Sequence, residues 1–214
     1  MIKKQGRSLT FSLIIANVAV FAIWLFLLLF KLDISRYLAV VPNAILQGKD
    51  IWTIITSVFM HASVGHLLMN MMSLAFLGNF LERILGRKRF FIFYMLAGIF
   101  ASLFFVFFAF LFKQDLNIGA VGASGAIFGI AGLIAILTPQ LPVYIMFIPI
   151  AMPMWIASFV ILIVMWLLSL VAGLPIGNSA HLGGLITGMA YGFYLKKRYP
   201  RKVMLLNKYL MGRH

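Results

Sequence analysis

The sequence predicts an all-α membrane protein of six transmembrane helices with both termini on the cytoplasmic side. Three observations predict it. Hydrophobic residues occupy 64% of the 214 positions and charged residues only 10%, and mean hydropathy is +1.07, which leaves too little polar surface to cover a water-soluble globule. Apolar runs recur at the length needed to cross roughly 30 Å of hydrocarbon. The Lys and Arg residues gather at alternate ends of those runs, which orients a multi-pass chain.

A net charge of +14 raises nucleic acid as a partner, but the cations lie at the ends of apolar runs. They therefore report on orientation and on anionic lipid at the cytoplasmic face, and speak against nucleic acid. The absence of cysteine removes disulfides, thiolate metal sites and a thiol nucleophile.

A basic cytoplasmic N-terminus, residues 1–8 with Lys3, Lys4 and Arg7, precedes the first uncharged run, Leu9 to Phe30. That run is longer than a signal peptide's apolar region and lacks a small-x-small exit, so it reads as a retained span. Residues 31–60 are mixed, with Asp33, Arg36, Pro42, Asp50, Tyr37 and Trp52 among short apolar pieces. This amphipathic outer loop suits either an interfacial segment or a solvated connector. His61 to Leu81 is the second span, with His66 and Asn70 on one face and His61 well around the cylinder. After the charged turn Glu82 to Arg89, the third span runs from Phe90 to Phe112.

The fourth span is expected from about Ile118 to Leu137, ending before Pro139. Pro142, Pro149 and Pro153 break the next apolar stretch, so the fifth span opens at Pro153 and ends near Val171. Gly173, Pro175, Gly177 and Asn178 form a tight loop, and Ala180 to Leu195 is the sixth span. Residues 9–195 thus form the membrane domain, and residues 196–214 a basic, surface-bound cytoplasmic tail. Fourteen Lys and Arg fall on the cytoplasmic side against four on the other, a clear positive-inside bias.

In this topology the second, fourth and sixth spans run in the same direction, so their N-terminal residues share a height. His66, Asn70, Ser124 and His181 are those residues, with Ser124 expected roughly 9 Å below the outer boundary. A serine among glycines in a membrane helix is by itself packing or interhelical glue, and a lone histidine near the interface, as His61 is, can be structural. Polar groups at one depth in hydrocarbon are costly unless they meet. Gly125, Gly129 and Gly132 on one helix and Gly184, Gly188 and Gly192 on another make bare stripes that permit close approach. Ser124 and His181 would then form a nucleophile with its base. No carboxylate lies within a span to complete a triad, so the unit is a dyad. Phe128, one turn after Ser124, either stacks on the imidazole or simply packs. Asn70, His66 and the Ser124 backbone N–H are candidate oxyanion donors. A zinc protease is excluded by the lack of His-Glu-x-x-His, and an aspartyl one by the lack of an intramembrane aspartate.

These residues resemble the rhomboid intramembrane serine proteases over about Gly48 through Leu195. Gly122-Ala123-Ser124-Gly125 looks like the family's Gly-x-Ser-Gly, and Ala180-His181 with Gly184 and Gly188 like its Ala-His-x-x-Gly-x-x-x-Gly. His61, His66 and Asn70 match His-x-x-x-x-His-x-x-x-Asn, and Glu82-Arg83 with Leu85-Gly86 is similar to the charged turn that follows. The resemblance implies a prokaryotic-type six-helix bundle around a water-filled cavity, Ser124 as nucleophile, His181 as base, and His66, Asn70 and Gly122 on the oxyanion and substrate side. His61, Phe128, Gly125 and Gly184 are supporting residues. It implies no cofactor and no metal, substrates that are membrane proteins with a transmembrane segment, and an active site on the extracytoplasmic face of a prokaryotic plasma membrane. One departure is Trp52-Thr53, where many members have Trp-Arg. The fifth span, without ionisable groups, is expected to be the mobile side. Two rival functions are a catalytically inactive relative that binds membrane clients, and a transporter or metal-ion channel using the three histidines, for which nearby ligands are poor.

Overall fold

The computed structural model describes residues 8–145, 150–172 and 177–212. Lys3, Lys4, Arg7, Pro149 and the Gly173–Pro175 part of the expected loop lie outside them. Among the described residues four helices are long and apolar enough to cross a membrane: α1 (Leu9–Leu29), α4 (Val64–Leu85), α5 (Arg87–Phe112) and α7 (Met154–Ala172). Two short helices, α2 (Pro42–Leu46) and α3 (Thr53–Thr56), lie in the first loop. The others are α6 (Ser124–Leu137), α8 (Asn178–Arg198) and α9 (Pro200–Leu210).

Helix α6 is the hub. Its 14 residues are apolar on every side, and all from Gly125 to Ala135 are buried, as expected of a helix without a polar face. It is shorter than the expected 118–137 because residues 116–122 are held elsewhere. Val40 and Ala120 exchange backbone hydrogen bonds of 3.0 and 2.9 Å, Asn43 N donates to Leu116 O at 2.8 Å, and Gly122 N donates to Ser57 O at 2.8 Å. Ser124 therefore opens the helix rather than sitting six residues inside it.

The same bonds decide the nature of residues 31–60, which fold onto the helices instead of forming a plain connector. Val40 is buried with Phe105 and Val106 of α5, and the Trp52 indole donates to Tyr37 O at 3.0 Å. At the departure noted above, buried Thr53 needs no distant partner, because its hydroxyl donates to Asp50 O at 2.6 Å.

Other boundaries also move. The second helix starts at Val64, where Ser63 accepts from His66 N, so His61 precedes it. A π-turn over Leu74–Gly78 interrupts α4. Helix α5 begins at Arg87, taking in part of the expected charged turn. Pro153 ends a strand instead of opening a helix: β1 (Pro142–Tyr144) pairs antiparallel with β2 (Ala151–Pro153). Helix α8 continues through Lys196–Arg198, and the tail beyond forms α9, pinned where Asn207 Nδ2 donates to Leu137 O at 2.7 Å.

Glu82, read from sequence only as part of a charged turn, ties α4 to the start of α1. Its carboxylate accepts from Ser8 Oγ (2.7 Å), Leu9 N (2.9 Å), Thr10 N (2.9 Å) and Thr10 Oγ1 (2.6 Å). An anion there satisfies amides that have no partner within the helix and meets the positive end of its dipole. Glu82→Gln removes the charge and turns an NH2 group toward donors. We expect it to cost about 2 kcal/mol in equilibrium detergent unfolding.

Candidate active site

Ser124 and His181 come from the first turns of α6 and α8, which lie backbone against backbone. A methyl group added at Gly184 or Gly188 would run into the carbonyl oxygens of Gly125 and Gly129, and one at Gly132 into the carbonyl of Leu185. The α6 stripe does more than expected, since Cβ atoms built at Gly125 and Gly129 would each come within 2.6 Å of an alanine methyl of α5, Ala101 and Ala97. Three helices converge here, α8 on α6 backbone to backbone and α5 on α6 with only alanine methyls between them.

At the mouth of this junction Ser124 Oγ lies 2.8 Å from His181 Nε2. Ser124 is half-buried and His181 is 7% exposed. Phe128, one turn below Ser124, stacks on the imidazole with ring centroids 4.5 Å apart and planes 17° from parallel. The buried Nδ1 of His181 has no hydrogen-bond partner among the described residues, so ring stacking and tight packing, rather than a carboxylate, orient the imidazole. With Nδ1 carrying the proton, Nε2 is free to accept from the serine hydroxyl.

His66 closes the other side. A Cβ built at Gly122 would fall 2.8 Å from His66 Nε2 and 3.6 Å from Ser124 Oγ, and Gly122 has φ +125°. Only glycine combines that backbone with that proximity. Asn70 is buried and its amide donates to His66 O at 2.8 Å. His61, fully buried, stands edge-on to His66 with centroids 5.0 Å apart. The helical-wheel expectation separated these rings; they meet because His61 lies in the turn before α4.

Sequence reasoning missed Ser57, whose carbonyl holds Gly122, and the Val40–Ala120 pairing that fixes the loop before Ser124. Backbone partners of this kind leave no side-chain pattern to find.

Fold and site together define a helical integral membrane protein with a serine–imidazole pair set into glycine-packed helix ends. The chain belongs to the rhomboid family: a family model described as Rhomboid domain matches residues 48–198. It is similar to Rhomboid protein 1, mitochondrial, of Saccharomyces cerevisiae, with 31% identity over 94% of this chain and 57% of that protein. It is also similar to Rhomboid protease GlpG of Yersinia pseudotuberculosis, with 26% identity over 94% of this chain and 68% of that protein. A shorter match, 37% identical over 42% of this chain and 24% of the relative, is to Inactive RHOMBOID-like protein 8 of Arabidopsis thaliana. The chain spans 57%, 46% and 39% of three curated relatives. These matches include mitochondrial and bacterial proteins, so they lend no support to the prokaryotic plasma membrane in particular.

Proposed function

We propose that this protein is an intramembrane serine endopeptidase that cuts membrane proteins in or beside a transmembrane segment. The observation that carries this reading is the 2.8 Å approach of Ser124 Oγ to His181 Nε2. In the reaction, Oγ attacks the scissile carbonyl carbon as its proton passes to Nε2. The same proton then goes to the leaving amine, and water hydrolyses the acyl-enzyme with His181 again as base. The backbone N–H of Ser124, free of an intrahelical acceptor at the helix start, His66 and the second amide proton of Asn70 supply the oxyanion side.

We read α6 and α8 as crossings beside the four long apolar helices, giving six. The short α6 is sheltered by surrounding helices, and a short span suits a cavity open to water. Arg83, Arg87, Lys88, Arg89 and Lys196–Arg198 fall at one end of these helices, and Lys31, Arg36, Lys49 and Lys113 at the other. That distribution supports cytoplasmic termini and a catalytic pair facing the opposite compartment. Helix α7 is the proposed substrate side, because its Leu162 packs with Phe128, the ring stacked on His181, while only Met154, Ala157, Ser158 and Leu162 of its residues are buried.

The relative named inactive gives weight to a second reading, client binding without cleavage. A fluorophosphonate probe separates the two. We expect it to label Ser124 in the folded protein, and labelling to fall at least about tenfold in His181→Ala. An unlabelled Ser124 in folded, membrane-reconstituted protein would favour the binding role.

A further inference from the structure

At the far end of α6 from Ser124, roughly 20 Å along the axis, the amphipathic helix α9 folds back over the bundle. Between it and the ends of α4, α5, α6 and α8 lies a cleft of about 600 Å³. Its floor includes Ile84, Leu137 and Val203, and its lining carries three cations from three helices, Arg83, Arg89 and Lys202. All three are exposed. Lys202 Nζ also sits 5.4 Å from the Tyr199 ring, which lines the same cleft.

Among the described residues no carboxylate balances these charges. Of the chain's four acidic residues, Glu82 is committed to Ser8, Leu9 and Thr10. Asp33, Asp50 and Asp115 lie in the loops at the other end of the helices. An apolar trough rimmed by unbalanced cations at a helix-bundle end is complementary to one amphiphile, with an anionic head and a hydrocarbon tail.

We infer that this cleft binds one anionic phospholipid, its phosphate among Arg83, Arg89 and Lys202 and an acyl chain along the apolar floor under α9. The site is separate from the Ser124–His181 pair and does not rest on the proposed reaction. It differs from a general attraction of basic ends to an anionic membrane because it needs particular cations. Arg201 and Lys208, on the same helix α9, do not line the cleft.

The test is native mass spectrometry of the full chain in detergent, titrated with dioleoylphosphatidylglycerol or dioleoylphosphatidylcholine. We expect preferential retention of a single phosphatidylglycerol. Lys202→Gln, an exposed change compatible with folding, should weaken it about fivefold, and adding Arg83→Gln and Arg89→Gln at least about fiftyfold. Arg201→Gln/Lys208→Gln should leave retention unchanged. Equal retention of phosphatidylcholine, an equal loss in the Arg201/Lys208 variant, or displacement by millimolar inorganic phosphate, which would mark a simple anion site, would each overturn the assignment.

Discussion

Ser124→Ala is expected to lower cleavage of a reconstituted single-span substrate by at least about 10³-fold while leaving the helices in place. The hydroxyl is the one group whose loss removes the attacking atom, and alanine fits wherever serine does. His181→Ala should cost about as much, and the double variant little more than either, because two groups that act on one proton do not contribute additively. The measurement is cleavage rate in proteoliposomes, with unfolding in detergent as the control for structure. Ser124→Ala cleaving at more than a few per cent of the wild-type rate would mean that the 2.8 Å contact is structural and the nucleophile lies elsewhere.

Gly188→Leu is expected to have the largest effect on the fold, above about 3 kcal/mol. Even the first carbon of a side chain there would run into the Gly129 carbonyl, with Leu133 N also within reach. Backbone cannot step aside as a flexible side chain can. Separating α6 from α8 would also pull Ser124 and His181 apart, so activity should vanish with stability. Gly65→Ala is the matched control, since a Cβ at Gly65 meets nothing within 4 Å, and it should change stability by no more than about 0.5 kcal/mol. A folded, active Gly188→Leu protein would show that the two helices are not locked at this point.

The parts legible in the sequence were those written in side-chain chemistry. Long uncharged runs marked the main helices, and glycines at four-residue spacing marked the contact that brings Ser124 and His181 together. Boundaries failed where backbone hydrogen bonds outside regular helices decided them. Residues 116–122 are apolar enough to be helical, yet Leu116 and Ala120 bond to the first loop instead. At Pro153, which pairs with Pro142 in a hairpin, the boundary moved by only one residue, since the helix starts at Met154. His61 was misplaced for a related reason, because a helical wheel applies only to residues in the helix. The role of Glu82 was hidden because its partners are Ser8, Leu9 and Thr10, more than seventy positions away.

The π-turn over Leu74–Gly78 accommodates one residue more than a regular α-helix would in that stretch, shifting angular phase by about 100°. Its two flanks answer to different demands: the upstream half places His66 beside Gly122 and Ser124, while the downstream half aims Glu82 at the start of α1. An unbroken helix would lock those headings together. The extra residue sets a fixed offset between them, so one continuous helix meets both headings at once.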